Sequence, residues 1–284
     1  MKLSTVSTVP QVRQQLDAIR RGGKTIGLVP TMGALHAGHA SLIENARAQC
    51  DFVVVSIFVN PLQFGPNEDY QRYPRPLEKD LEVCERVGAD LVWVPSREDL
   101  YLSEQRIFIE VTQLGDHLCG PFRPGHFRGV ATVVAKLFNV IQPHKAYFGE
   151  KDYQQLRIIR KMAEDLNFGV EVVSVPIYRD ADGLALSSRN VYLDAEERTA
   201  APALFRALLA AKKMVEEGER DIRVVKDASM WILAAEPRIR PEYFEIVDPI
   251  ELQPVTEIRG EVRVAAAIWI GKTRLIDNVG ALSA

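Results

Sequence analysis

Cysteine is scarce in this chain, and the cysteines that are present are poorly placed for crosslinking. There are three among 284 residues, at Cys50, Cys84 and Cys119. An odd number at wide spacing, with no Cys-x-x-Cys pair, argues against both a disulfide framework and a structural zinc site. A reducing compartment is the simplest environment for such a chain, so we expect a cytoplasmic protein.

Long apolar runs and an excess of basic charge are also lacking. No apolar stretch approaches the roughly 20 residues of a membrane span, and the polar segment 11–21 excludes the apolar core of a signal peptide. The 35 basic and 38 acidic residues give a formal net charge of −3. We therefore expect neither a membrane nor a nucleic acid as partner, and any bound anion must meet a local cluster of positive charge.

What the chain does have is a globular composition, with 47% hydrophobic and 26% charged residues. These values lie close to the averages of about 45–50% and 25% for folded domains. At roughly 150 residues per domain, the length predicts about two domains.

The first two thirds of the chain alternate between short β-branched runs and longer helical patterns. The predicted strands are 25–29, 51–59, 90–94, 146–148 and 170–175, and the predicted helices are 38–49, 78–87, 130–141 and 152–166. This alternation predicts an α/β fold with a Rossmann-like parallel sheet covered by helices on both faces. Such sheets bind ligands beyond the carboxyl ends of their strands.

The pattern changes after Asn190. Helices are predicted over 195–217 and 222–235, and strands over 243–247, 262–270 and 275–277. We therefore predict a Rossmann-like domain over residues 1–188 and a smaller C-terminal α+β domain over 189–284.

The most informative local feature is His36-Ala37-Gly38-His39, which follows a predicted buried strand and opens a helix. A helix N-terminus offers unpaired N–H groups and partial positive charge, and two imidazoles on one turn can donate hydrogen bonds to phosphate oxygens. Surface histidines or a metal pair are alternatives, although the H-E-x-x-H pattern is absent. The H-x-G-H motif resembles the signature of the nucleotidyl-transferring Rossmann superfamily.

Two later segments have a similar context. Lys151 and Asp152 follow a strand end, where a lysine can reach phosphates and an aspartate can either cap the helix or bind ribose hydroxyls. The run Ser187-Ser188-Arg189 follows the last predicted strand of the first domain, and its arginine suits phosphate. An ordinary capped loop is the alternative there.

Polar side chains also follow the second predicted strand. Asn60 and Gln63 stand among apolar residues, a composition typical of a small-molecule pocket, although they could instead support the loop backbone. Arg123 belongs to the densest basic cluster, and Asp80, near a helix start, is the candidate metal ligand.

Five ordered segments together resemble the pantothenate synthetase (pantoate–β-alanine ligase) family. They are PTMGALHAGH, FVNPLQFGPNEDYQRYPR, RPGHFRGVATVV, FGEKDYQQL and DGLALSSRN, with RLIDN as a weaker sixth. The resemblance implies that ATP and pantoate form pantoyl adenylate and pyrophosphate. The amine of β-alanine then attacks the adenylate, giving pantothenate and AMP. It also implies Mg²⁺ with ATP and a homodimer. The boundary between the predicted domains falls near Arg189, inside the segment that would close over the triphosphate, so we expect residues 1–188 to bind ATP and pantoate and residues 189–284 to act as a lid.

The resemblance also implies roles for individual residues. His39, His36 and Lys151 would be catalytic, with His39 at the position of the family's proton donor. ATP would be bound by Met32, Gly33, Ala34, Leu35, His36, Ala37, Gly38, His39, Gly149, Glu150, Lys151, Asp152, Tyr178, Leu186, Ser187, Ser188 and Arg189. The other substrates would be bound by Gln63, Gln155, Asn60 and Arg123.

Attack by a carboxylate on a phosphate needs charge neutralisation more than a base, because the carboxylate is already ionised at neutral pH. We therefore expect the histidines to act mainly as hydrogen-bond donors. A nucleotidylyltransferase with the same motif and a non-catalytic nucleotide sensor are the alternatives.

Overall fold

Residues 2–101 and 104–283 are described by a computed structural model. They form two compact units, each assembled from several chain segments. The first unit comprises Met1–Val111, Arg123–Glu150 and Gln155–Pro176, and the second comprises Thr112–Phe122, Lys151–Gln154 and Ile177–Ala284. The predicted boundary between residues 188 and 189 lies inside the second unit, because the turn before it is tied to the C-terminal sheet by an ion pair between Arg179 and Asp277.

The first unit is built on a six-stranded sheet in which every strand pair is parallel. The strands are β1 (Ser4–Val6), β2 (Ile26–Thr31), β3 (Phe52–Ile57), β4 (Leu91–Trp93), β5 (Lys145–Gly149) and β6 (Glu171–Val175), in the spatial order β1-β4-β3-β2-β5-β6. Along the chain from β2, strands β3 and β4 are added on one side of it, and β5 and β6 are added on the other. The direction in which strands are added therefore reverses at β2. The carboxyl end of β2 is therefore the switch point at which such sheets bind ligands.

Six α-helices accompany these strands along the chain. They are α1 (Val9–Arg21), α2 (Ala37–Gln49), α3 (Leu77–Arg86), α4 (Arg97–Leu100), α5 (His126–Ile141) and α6 (Tyr153–Asp165). Short 3-10 helices occur at Pro61–Gln63, Glu150–Asp152 and Ser188–Tyr192. None of the helices in the described ranges is long and apolar enough to cross a membrane.

The central strands explain why this sheet forms. All six residues of β3 are buried, as the near-continuous apolar run predicts for a strand covered on both faces. Val29, Val53 and Val55 pack with Ile43 of α2 in one cluster. Burying each such side chain contributes about 1.5–3 kcal/mol, so the strands that carry the site have a rigid base.

The second unit contains an antiparallel sheet of β7 (Ile239–Val247), β8 (Glu261–Ile270) and β9 (Thr273–Leu282), in that order. Its helices are α7 (Ala195–Ala200), α8 (Ala203–Glu216) and α9 (Ile222–Ala234). The predicted fold class, a Rossmann-like parallel sheet with a smaller α+β part, is confirmed.

Several predicted elements differ from the observed ones. The helix predicted over 195–217 is two helices, because Pro202 caps α8 and cannot continue the hydrogen-bonding ladder of α7. Helix α5 begins at His126 rather than at Val130. Strand β9 is much longer than the predicted 275–277. The prediction was too short because several buried residues of this strand are polar and interrupt the apolar pattern in the sequence. The strand β1 and the helices α1 and α4 were not predicted.

Candidate functional site

The loop after β2 leads into α2 through two residues in the left-handed region. Gly33 has φ 80° and Ala34 has φ 51°. A Cβ at Gly33 would lie 2.9 Å from Oδ2 of Asp80. This position therefore needs glycine both for its backbone conformation and for the close approach of a side chain.

Asp80 of α3 holds this loop in place. Its carboxylate accepts hydrogen bonds from the N–H groups of Ala34 (2.9 Å, to Oδ2) and Leu35 (2.7 Å, to Oδ1). Burial raises the pKa of the Asp80 carboxyl, and the two backbone donors partly oppose that shift. Each carboxylate oxygen accepts one backbone N–H, so Asp80 holds the loop, and the metal-ligand role suggested for it stays a prediction.

His36 and His39 lie side by side at the start of α2, with ring centroids 4.1 Å apart. His36 caps the helix by accepting from Gly38 N–H at Nδ1 (3.1 Å), and Nδ1 of His39 accepts from His36 N–H (3.3 Å). A backbone N–H can only donate, so both Nδ1 atoms are acceptors. In each ring Nδ1 is thus the accepting nitrogen, and Nε2 is the nitrogen that can donate.

Gln63 lies beyond β3, at the end of the 3-10 helix Pro61–Gln63, and is buried. Its side-chain oxygen accepts from Nδ2 of Asn60 (3.1 Å), and its Nε2 lies 3.0 Å from Sδ of Met32. The structure thus brings together Met32, Asn60 and Gln63, which follow two neighbouring strands of the sheet.

Arg123 supports the same turn from the start of α5. Its guanidinium forms a bidentate pair with Glu68 (2.7 and 2.6 Å) and also reaches Gln63 O (3.3 Å). Nδ1 of His126 is 2.8 Å from that carbonyl, and its Nε2 is 3.0 Å from Nη1 of Arg123. Arg123 therefore holds the Gln63 turn, and the direct substrate binding expected for it stays a prediction.

The segment after β5 passes from the first unit to the second. Gly149 ends the strand, and Glu150, Lys151 and Asp152 form a 3-10 turn that leads directly into α6, which begins at Tyr153, one residue after the predicted start. Within the second unit, Asn278 of β9 donates to Lys151 O (3.0 Å). The Lys151 ammonium lies 3.8 Å from the Asp152 carboxylate. Gln155 is half-buried in the first turns of α6.

The last predicted segment begins with a tight turn in the second unit. Leu186 N–H donates to Tyr178 O (3.0 Å), and the Arg179 side chain forms a bidentate pair with Asp277 (2.6 and 2.9 Å). Burial raises the pKa of Asp277, and the hydrogen bonds from Arg179 oppose that shift.

Ser187 then caps the 3-10 helix Ser188–Tyr192 by accepting from Arg189 N–H (3.3 Å). Ser188 and Arg189 are half-buried. The cap that the sequence left as an alternative is thus present.

The sequence missed several residues that hold these segments. Tyr101 bonds to Asn60, and Asp277 and Asn278 anchor second-unit turns. In the sequence, only the RLIDN string, residues 274–278, pointed to Asp277 and Asn278. Across residues 2–101 and 104–283, no three His, Cys, Asp or Glu side chains are grouped so that they could hold a metal ion.

Comparison with known proteins agrees with this geometry. The family model for pantoate-beta-alanine ligase matches residues 4–280. A pantothenate synthetase of Thermotoga neapolitana is 52% identical over 273 residues, covering 96% of this chain and 98% of the relative. That of Moorella thermoacetica is 50% identical over 277 residues and covers 98% of both chains.

Solved structures give the same result. Pantothenate synthetase from Thermus thermophilus superposes with a TM-score of 0.93 at 48% identity, covering 97% of this chain and 98% of that one. The pantoate-beta-alanine ligase of Francisella tularensis, solved with β-γ ATP and β-alanine, gives 0.82 at 33% identity, covering 98% and 97%. From its sequence, its fold and the arrangement of its strand-end residues, this chain belongs to the pantoate–β-alanine ligase family.

Proposed function

We propose that the protein condenses pantoate with β-alanine at the expense of ATP, through a pantoyl adenylate, and releases AMP and pyrophosphate. The observation that carries this proposal is the histidine pair at the sheet's switch point. In both rings Nδ1 accepts from a backbone N–H, and Nε2 is the nitrogen able to donate to a ligand. Two imidazole donors suit the charge that develops on phosphate oxygens when a carboxylate attacks the α-phosphate.

The remaining residue roles follow from the family. The loop Met32–His39 and the turn Gly149–Asp152 bind ATP, and Lys151 and Arg189 neutralise phosphate charge. Tyr178 and the run Leu186–Ser188 complete nucleotide binding. Gln63, Gln155 and Asn60 form the pantoate side, while Arg123 acts on it by holding the Gln63 turn. The lid role of residues 189–284 stays a prediction.

Mg²⁺ is proposed as a companion of ATP and not as a resident metal. The described residues offer no carboxylate or histidine cluster to hold it. Magnesium commonly keeps several waters and binds substrate phosphates, where it neutralises their charge. The ion would therefore enter with the nucleotide.

We also infer a cytoplasmic homodimer. The compartment is supported by three cysteines that are all buried and unpaired. The homodimer rests on the family, and light scattering of the purified protein tests it.

One assay tests the reaction. The protein is incubated with ATP, Mg²⁺, pantoate and β-alanine, and AMP and pantothenate are measured with each substrate omitted in turn. We expect pyrophosphate release to require pantoate, and amide formation to require β-alanine as well. AMP release indifferent to both would contradict the proposal. Adenylyl transfer to a phosphate ester would identify a nucleotidylyltransferase, and ATP binding without turnover a sensor.

A further inference from the structure

Tyr101 is a buried tyrosine that follows α4, far in sequence from every segment with a proposed role. Its hydroxyl donates to Oδ1 of Asn60 at 2.8 Å. Burial raises the pKa of Tyr101, so the phenol remains protonated and can donate. The ring is packed near Phe58 (6.1 Å between centroids) and beneath the Lys136 ammonium (5.0 Å).

The partners of Asn60 fix which way its amide points. Gly129 O, which lies 3.1 Å from Nδ2, can only accept, and Leu62 N–H, which lies 3.3 Å from Oδ1, can only donate. Tyr101 adds a second donor on the Oδ1 side. A flipped Asn60 amide would set like groups against each other at Gly129 and Leu62, so the observed orientation is the one that satisfies every partner.

The orientation of Asn60 in turn fixes that of Gln63. Nδ2 of Asn60 donates to Oε1 of Gln63, which leaves Nε2 as the donor end of that amide. Nε2 meets only the sulfur of Met32 among the contacts described, and a thioether is a weak acceptor. An oxygen of a ligand would be a better partner for these N–H groups.

We propose that Tyr101 is a positioning residue for pantoate: through Asn60 it holds the Gln63 amide so that Gln63 presents N–H donors to an oxygen of that substrate. This inference rests on the proposed function, because Gln63 is assigned to pantoate by the family. No residue near Tyr101 in sequence carries a role, so only the three-dimensional structure shows the connection.

The test is Tyr101→Phe, which keeps the ring and removes the hydroxyl. A lost hydrogen bond of about 1–2 kcal/mol corresponds to roughly a 5- to 30-fold rise in KM for pantoate. We expect KM for ATP to change little. The matched control is Tyr147→Phe, another buried tyrosine, whose hydroxyl meets Cys50 Sγ (3.5 Å) and no site residue. Its KM for pantoate should stay at the wild-type value.

A double-mutant cycle with Asn60→Ala separates positioning from packing. If Tyr101 acts through Asn60, adding Tyr101→Phe to Asn60→Ala raises KM for pantoate no further. Additive effects, or equal changes in the KM values of pantoate and ATP, would overturn the inference. An unchanged KM for pantoate in Tyr101→Phe would do the same while leaving the proposed function intact. A wild-type protein that needs no pantoate would overturn both.

Discussion

In the first unit the loop after β2 is held through its own backbone N–H groups, whereas in the second unit the Arg179 side chain and the Lys151 carbonyl are held by side chains of the C-terminal sheet. Asp80 and the two histidines bind backbone N–H groups around the end of β2. In the second unit, Asp277 and Asn278 of β9 hold Arg179 and the Lys151 carbonyl. The first arrangement depends on loop geometry, and the second on a buried charge that must stay paired.

The largest effect on stability is expected from a substitution that breaks the second arrangement. Arg179→Ala leaves Asp277 buried without its ion-pair partner, and removing one member of a buried pair typically costs about 3–5 kcal/mol. We expect the denaturant concentration at the midpoint of unfolding of the second unit to fall clearly, as measured by tryptophan fluorescence. The matched control is Arg223→Ala, since the exposed Arg223–Asp221 pair (3.5 Å) should contribute little. Equal midpoints for the two variants would show that the buried Arg179–Asp277 pair stabilises the second unit no more than an exposed pair does.

The next effect concerns the histidine donors of the first unit. His39→Ala removes an N–H donor to developing phosphoryl charge, and such losses cost about 10²–10³ in rate. Single-turnover assays should show slower adenylate formation with little change in the step with β-alanine. His144→Ala is the control, because Nδ1 of His144 also accepts a backbone N–H, from Ile26 (2.9 Å). Equal losses in both half-reactions of His39→Ala would show that His39 serves more than adenylation.

The smallest effect is on the pH dependence of stability. The folded-state pKa of Asp80 is raised by burial, so the folded protein takes up this proton at a higher pH than the unfolded chain. The contribution of Asp80 to stability is therefore largest below the ordinary carboxyl pKa and is lost as the pH rises through the raised value. Melting temperatures across acidic to neutral pH, compared between wild type and Asp80→Asn, measure it. A melting temperature of wild type that rises relative to that of Asp80→Asn as the pH increases would reverse the sign and refute this assignment.

The sequence predicted those parts of the site that depend on local patterns. Strand ends, the His36–His39 spacing and the Ser187 cap all involve residues within a few positions of each other. The residues that it missed act across long stretches of chain. Tyr101 and Asn60 are 41 residues apart, Arg179 and Asp277 are 98 apart, and Lys151 and Asn278 are 127 apart. No hydrophobic period or capping motif records such pairings, because they arise only when the sheets assemble.

The three unpaired cysteines give each unit its own chemical reporter. Cys50 and Cys84 belong to the first unit and Cys119 to the second, and all three are buried. Burial and the nearby Asp80 charge raise the pKa of the Cys84 thiol to about 12, so its sulfur reacts very slowly as long as the unit stays closed. A thiol reagent applied to the native enzyme would therefore modify each sulfur only when its surroundings open. The order in which the three become modified would rank the local opening rates of the two units without any engineered label.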